Sequence, residues 1–315
     1  MAPRDAKSPE PITALVCTAD RPAMLRQAVL SLLRNTHPSF EVIVVEQGEA
    51  GLGAAALEDL RGDARLRVLA SPRNGKGAAL NLGLAHVRTD LVACTDDDCT
   101  VPPDWLEAMS GVLAAHPDVA VVFGGVDAAG HDKQTGFIPT FSVVRDRLIV
   151  DLRQMARTRG LGACMGLRAA TVRAIGGFDP WLGPGAAFRA CEDWDIAFRA
   201  LLAGHEVFDT ASAPVIHHGF RSFSEGRGHS SRDWYGIGAV CVKPLRRGHW
   251  SIVLVAAELI FARALVPPLL DVMRLRRPRG LGRMTAFVAG AARAMRTPLR
   301  PDVLVFEAAG SGQQE

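Results

Sequence analysis

The chain alternates short, wholly apolar runs with longer stretches whose apolar residues recur at helical spacing. Pro11 to Cys17 reads as a strand, and Ala23 to Arg34 carries Leu25, Ala28, Val29 and Leu32 along one helical face. Phe40 to Val45 predicts a second strand, Leu52 to Arg61 a helix, Leu66 to Leu69 a third strand, Ala78 to His86 a helix and Leu91 to Cys94 a fourth strand. Strands that are apolar on both faces and separated by helices predict an α/β fold, a mostly parallel sheet covered by helices. Ligands of such sheets bind beyond the carboxyl ends of the strands, where this chain places Thr18 to Arg21, Glu46 and a run of aspartates.

Farther along, Asp104 to Ala115 predicts a helix, Val119 to Val126 a strand, and Phe141 to Arg157 and Arg168 to Ile175 two more helices. Cys191-Glu192-Asp193-Trp194-Asp195 opens a helix that runs to Ala203 and stops at Gly204. Val207-Phe208 and Val215-Ile216 read as a strand pair ending at His217-His218, and the Gly-, Ser- and Arg-rich stretch Phe220 to Arg232 reads as a mobile loop. From Trp250 the pattern is helical and apolar: Ile252 to Leu265, Leu269 to Leu275, Met284 to Met295. Glu258, Arg263 and Pro267-Pro268 interrupt the first of these runs, which falls short of the ~20 residues a bilayer span needs, so no transmembrane helix is expected.

Composition adds three constraints. With 48% apolar and 22% charged residues, the chain is globular rather than disordered. Residues 243–300 hold twelve Lys/Arg against Glu258 and Asp271, a basic region that suits either an anionic membrane surface or a solvated face of helices packed on the domain. The six cysteines lack Cys-x-x-Cys or zinc-finger spacing, and Met1 to Pro11 lacks the apolar core of a signal peptide; both fit reduced thiols and a cytoplasmic location. The expected organisation is one domain over 11–240 with halves at about 11–100 and 101–240, a helical region over 241–300, and no order in 1–10 and 301–315.

Candidate chemistry concentrates at Asp96-Asp97-Asp98, where an apolar strand runs into three carboxylates and then Pro102-Pro103. Like charges this close call for a compensating cation, and oxygen ligands suit a hard divalent metal; an acidic turn in water would look the same in sequence. Asn74-Gly75-Lys76-Gly77 offers backbone N–H groups and positive charge at a helix start, suited to a diphosphate, although an ordinary turn has the same composition. Glu192 and Asp193 stand in a helical first turn, where carboxylates are common for dipole reasons alone.

In their order these motifs resemble the family 2 glycosyltransferases, inverting enzymes of the GT-A fold. The resemblance covers about residues 11–220 and lies in five segments: Thr18-Ala19-Asp20-Arg21-Pro22, the strand ending at Glu46, Asn74 to Gly83, Asp96-Asp97-Asp98 followed by Pro102 to Trp105, and Gly176-Gly177-Phe178-Asp179 with Glu192-Asp193-Trp194-Asp195. It implies a Rossmann-like GT-A domain with a C-terminal helical extension, and transfer of a sugar from a UDP-, GDP- or dTDP-linked donor to a saccharide, lipid-linked or natural-product acceptor. It further implies Mn2+ or Mg2+ held by Asp98 with Asp96 and His217, and donor contacts from Thr18, Asp20, Arg21, Glu46, Arg73, Lys76, Asp96 and Asp97. Asp193 is implied as the general base, with Glu192 orienting the acceptor; no nucleic-acid partner is implied. Strand alternation would turn Asp96 and Asp98 to one side and Asp97 to the other. The family's usual aspartate at the end of the second strand is Glu46 here, which leaves the base unassigned. Asp96-Asp97-Asp98-Cys99-Thr100 also satisfies the nucleophile motif of haloacid dehalogenase-like phosphatases. The same carboxylates would serve a GT-A-like nucleotidyltransferase, or a nucleotide-sugar-binding protein without catalysis.

Overall fold

The computed structural model describes residues 9–48, 51–72, 74–158, 160–278 and 280–307. In chain order these form β1 (Ile12–Ala19), α1 (Pro22–Leu33), β2 (Phe40–Gln47), α2 (Leu52–Ala56), β3 (Leu66–Ala70), α3 (Lys76–His86), β4 (Leu91–Asp96), β5 (Cys99–Thr100), α4 (Trp105–Ala115), β6 (Val119–Ala128), β7 (Gly136–Phe137), β8 (Arg147–Ile149), α5 (Leu152–Thr158), β9 (Cys164–Arg168), α6 (Ala169–Ala174), α7 (Glu192–Leu202), β10 (Glu206–His217), β11 (Arg221–Ser222) and α8 (Phe223–Leu245). The rest comprises α9 (Ser251–Leu259), a π-helical turn over Ile260–Leu265, α10 (Val266–Met273), α11 (Gly282–Arg296) and the hairpin β12 (Leu299–Arg300) and β13 (Val305–Phe306).

Among the described residues the main sheet runs β3-β2-β1-β4-β9-β6-β10-β5, with β8 added to β10. Its first four strands are parallel, as their unbroken apolar runs predict; Leu15 lies opposite Ile43 and Cys94, all buried. Beyond β4 the sheet is mixed, since β9 runs antiparallel to both β4 and β6 while β6 and β10 are parallel. The α/β expectation holds, with the antiparallel insertion of β9 separating β1 to β4 from the rest. The carboxyl ends of β1, β2, β4 and β10 bring the polar residues to one edge.

Several local expectations change. The helix expected over Leu52 to Arg61 is α2 plus a 3-10 turn at Glu58–Leu60. The helix expected over Phe141 to Arg157 survives only as α5, because Arg147–Ile149 pairs with β10 and Phe141 bridges to Val126. β10 is one bent strand with register shifts rather than a strand pair. Phe220 to Arg232 is not a loop: Ser222 caps α8 and accepts from Glu225 N–H while the Glu225 carboxylate accepts from Ser222 N–H, a capping box that starts a 23-residue helix. The boundary expected at 240 therefore falls inside α8. Residues 301–307, expected to lack order, close the β12–β13 hairpin, and Val305 and Phe306 are buried. Glu258, Arg263 and the proline pair do not break the apolar segment either. Ser251–Met273 is continuous helix, long and apolar enough by length and composition to cross a membrane, because the π-helical turn and the position of the prolines at the start of α10 absorb the missing N–H groups.

Candidate active site

Two clusters form where the strand ends meet the N-termini of α3 and α7. In the first, Arg21 Nη1 donates to Asp98 Oδ2 at 2.8 Å, and its Nη2 lies 2.7 Å from Asp97 Oδ1. Thr18 Oγ1 donates to Asp97 Oδ2 at 2.7 Å, and His217 Nε2 stands 3.3 Å from Asp98 Oδ1. Burial raises the Asp97 carboxyl to about 6 despite Arg21 and Thr18. Burial also opposes ionisation of Asp98, yet His217 and Arg21 together hold it well below the usual carboxylate range. Asp97 does not turn away from this group, contrary to the alternation expected from a continuing strand. β4 ends at Asp96 and the next two residues form a turn, so period-two geometry no longer applies.

The second cluster joins the two halves of the site. Lys76, at the first position of α3, places Nζ 2.5 Å from Asp96 Oδ1 and 3.4 Å from Glu192 Oε1. Burial opposes its charge, but Asp96 and Glu192 outweigh it and raise the ammonium well above its ordinary value. Asp193 accepts from Gly162 N–H and Trp194 N–H, both at 2.8 Å. Burial raises Glu192 and Asp193 against the pull of Lys76, Glu192 to about 7. Lys76 N–H also donates to Pro184 O at 3.0 Å, which ties the start of α3 to the glycine-rich loop before α7.

A divalent ion fits the first cluster. His217 Nδ1–H donates to the Pro139 carbonyl at 3.0 Å, which leaves Nε2 to face Asp98. A Cβ at Gly219 would lie 2.6 Å from Asp98 Oδ2 and 2.7 Å from His217 Nε2, so glycine keeps the space over this pair clear. Asp98, His217 and the Cys99 thiol bring their ligand atoms within 4.8 Å of one another. Asp96, expected beside Asp98, is engaged instead with Lys76 in the second cluster.

The remaining predicted residues lie apart or are differently used. Both Glu46 oxygens accept from the start of α2, through Gly53 N–H and, at 3.3 Å, Ala54 N–H. Glu46 still lines a cavity of about 350 Å³ with Gly51, Ala54, Arg61, Leu66, Val68 and Ala70, at the size of a small-molecule pocket. Asp20 has φ 54° and lies against Gly48, where a Cβ would meet its carboxylate at 2.3 Å. Arg73 lies outside the described residues.

Sequence reasoning missed the support beneath α7. Lys243, buried in α8, pairs with Asp179 and, at 2.5 Å, with Asp195. Arg199 donates to Asp195 at 2.8 Å and to the carbonyls of Ile175 and Gly177, both at 2.6 Å. Asn81 clamps Phe178 through both backbone groups, and Phe306 N–H donates to Asp179 at 2.9 Å. Asp179 and Asp195 of the motif blocks, with Arg199, thus brace the start of α7. The available signal was Lys243 itself, a charge continuing the apolar run Ala239 to Val242.

Residues 13–175 match the model for glycosyl transferase family 2. A pre-mycofactocin glycosyltransferase of Mycobacterium tuberculosis is 27% identical over 223 residues, 68% of this chain and 44% of that protein. The chain spans less than half the length of the curated relatives it matches. Among solved structures, a Pyrobaculum calidifontis mannosyltransferase, PcManGT, in complex with GDP-Man and Mn2+, aligns with TM-score 0.58 at 17% identity, covering 90% of this chain and 86% of that one. TarS 1–349 of S. aureus aligns with TM-score 0.55 at 15% identity, covering 73% and 65%. These likenesses establish a GT-A-like architecture, and the family match sets aside the phosphatase and nucleotidyltransferase readings. The chain belongs to glycosyl transferase family 2.

Proposed function

We propose that this chain is an inverting glycosyltransferase that moves a sugar from a nucleoside diphosphate sugar to an acceptor hydroxyl by single displacement. The observation that carries the reading is Lys76, which joins the donor-side carboxylate Asp96 to the acidic first turn of α7. A diphosphate bound against the N-terminus of α3 would be met by that ammonium and by helix N–H groups. Thr18, Asp20 and Arg21 then contact base and ribose, and Glu46 shapes the wall of the base cavity through the loop it anchors. Asp98 and His217 are the residues that would hold Mn2+ or Mg2+, while Asp96, paired with Lys76, would face the ribose; the ion would neutralise charge on the leaving diphosphate.

Asp193 takes the acceptor's proton. Its two backbone donors fix the carboxylate's direction, and its raised proton affinity suits a base working near neutrality. Glu192, more deeply buried and beside Lys76, orients the acceptor. All six cysteines are free, which supports a reducing, cytoplasmic compartment. The acceptor is a saccharide, a lipid-linked saccharide or a natural product.

The test is a thermal-shift panel of uridine, guanosine and thymidine diphosphates with their sugar conjugates, with and without manganese, followed by NMR of the transferred linkage. Stabilisation by one nucleotide family and an inverted anomeric centre are expected. Stabilisation by none of them, or retention of configuration, overturns the reading. Nucleotide binding without transfer or donor hydrolysis, together with an Asp193→Asn variant that behaves like the parent, favours an inactive binding protein.

A further inference from the structure

The helix made of α9, the π-helical turn and α10 is apolar on its outer face as well as on the face it buries. Trp250, just before it, and Leu254, Phe261, Leu265, Leu269 and Met273 lie at helical spacing along its outer side and are between 48% and 73% exposed. An outer face of this kind is ordinarily polar. The charged residues are tied to the domain, Glu258 from the flank of the stripe with a third of its side chain exposed. Asp271 is 2% exposed, Glu258 pairs at 2.7 and 2.6 Å with Arg153 and Arg157 of α5, and Arg263 donates to the Ala156 carbonyl at 3.4 Å. The inward apolar residues Ile252, Val255, Leu259 and Ala264 are buried against the domain. An apolar stripe of this length is larger than the patches that monomers leave to water.

Basic residues bracket the stripe. Arg247 precedes it, Arg274, Arg276 and Arg277 follow it, and all four are exposed. An apolar strip with a tryptophan at one end and arginines at both matches the chemistry of a lipid interface, in which acyl chains meet the strip and anionic headgroups meet the guanidinium groups. The helix is long enough to cross a bilayer, with mean hydropathy 2.0 over its most apolar window. Its Glu258, however, is paired with Arg153 and Arg157 of α5, and crossing would drag those ion pairs into hydrocarbon.

We propose that this helix lies in the plane of a bilayer containing anionic lipid, its outer stripe sunk into the interface and its flanking arginines on the headgroups. The proposal stands on the exposed stripe and its flanks, independently of the transfer reaction. The test is flotation of the full chain with vesicles of phosphatidylcholine alone and of phosphatidylcholine mixed with phosphatidylglycerol. The chain floats with the mixed vesicles. The double variant Leu254→Glu, Phe261→Glu floats at least about tenfold less while keeping its thermal midpoint, and each of Arg274→Gln, Arg276→Gln and Arg277→Gln weakens binding about fivefold at low salt, the equivalent of about 1 kcal/mol per charge. Independently of those variants, brominated lipid quenches tryptophan emission, and the quenching drops in Trp250→Phe. Failure to float with either vesicle, or flotation and quenching that ignore these substitutions, overturns the proposal. So does resistance to alkaline carbonate, which marks a spanning helix, or a double variant that turns a dimer into a monomer with flotation unchanged, which marks a protein interface.

Discussion

Lys243 of α8 places its ammonium 2.5 Å from Asp195 Oδ1, in the same helical turn as the acids of α7, with both side chains buried. A charge pair this enclosed is strongly destabilising to break, because the partner left behind is unpaired and unsolvated. Lys243→Met is therefore expected to cost about 3–5 kcal/mol, lowering the thermal midpoint by roughly 10 °C. Adding Asp179→Asn should recover part of the loss, since Asp195 keeps Arg199 whereas Asp179 is otherwise left as a buried carboxylate without its ammonium. An unchanged midpoint in the single variant would show that the network carries no load.

Asp98→Ala and His217→Ala should each abolish the manganese-dependent part of nucleoside diphosphate stabilisation, and chelator should do the same to the parent chain. Arg21 and Asp97 remain in both variants, so some metal-independent binding persists. Thermal shift with and without manganese reads the difference; unchanged metal dependence would place the ion elsewhere.

Asp193→Asn keeps the size of the side chain and removes its basicity. The turnover rate should fall about 10²- to 10⁴-fold. Donor affinity should stay within a few fold of the parent, because Asp193 bonds to the backbone of Gly162 and Trp194 rather than to the Arg21–Asp98 group. Single-turnover transfer alongside donor titration separates the two effects.

Glu192 predicts the pH profile. Its carboxyl is raised to about 7 by burial and by Asp193 against Lys76, so lowering the pH through 7 protonates it and removes its hold on Lys76. Transfer should decline below about pH 7, and Glu192→Gln, which fixes the neutral state, should be slow throughout and lose that inflection. The linkage runs in the opposite sense for stability: the folded chain binds this proton more tightly than the unfolded chain, so the contribution from Glu192 is present below the ordinary value of 4.5 and is lost as pH rises through 7. Parallel rate and unfolding profiles of the parent and Glu192→Gln check both signs.

The first half of the fold was legible because β1 to β4 are buried on both faces, and an unbroken apolar run has few other meanings. The segment 141–157 was not, since Leu148 and Ile149 join the sheet edge through β10, a pairing set by residues some sixty positions away. Ser222 and Glu225 did announce α8, but the glycines around them masked the capping box. At the site, the identities of Lys76, Asp98, His217 and Asp193 were readable as charge at element ends. Their partition into an Arg21–Asp97–Asp98–His217 group and a Lys76–Asp96–Glu192 group was not, because it depends on where β4 stops. Lys243 was hidden for a similar reason: nothing local says that a lysine ending an apolar run will meet two aspartates from distant segments.

The hydrogen bond from Phe306 N–H to Asp179 has a consequence for timing. β1, β2 and β4 are all translated by Asp96, whereas the aspartate that holds Lys243 waits for the β12–β13 hairpin, some two hundred residues later. During synthesis, the ends of these strands are specified early and α7 is braced through Asp179 only much later. A chain lacking that hairpin would carry the strand ends already formed but the acids of α7 not yet braced through Asp179.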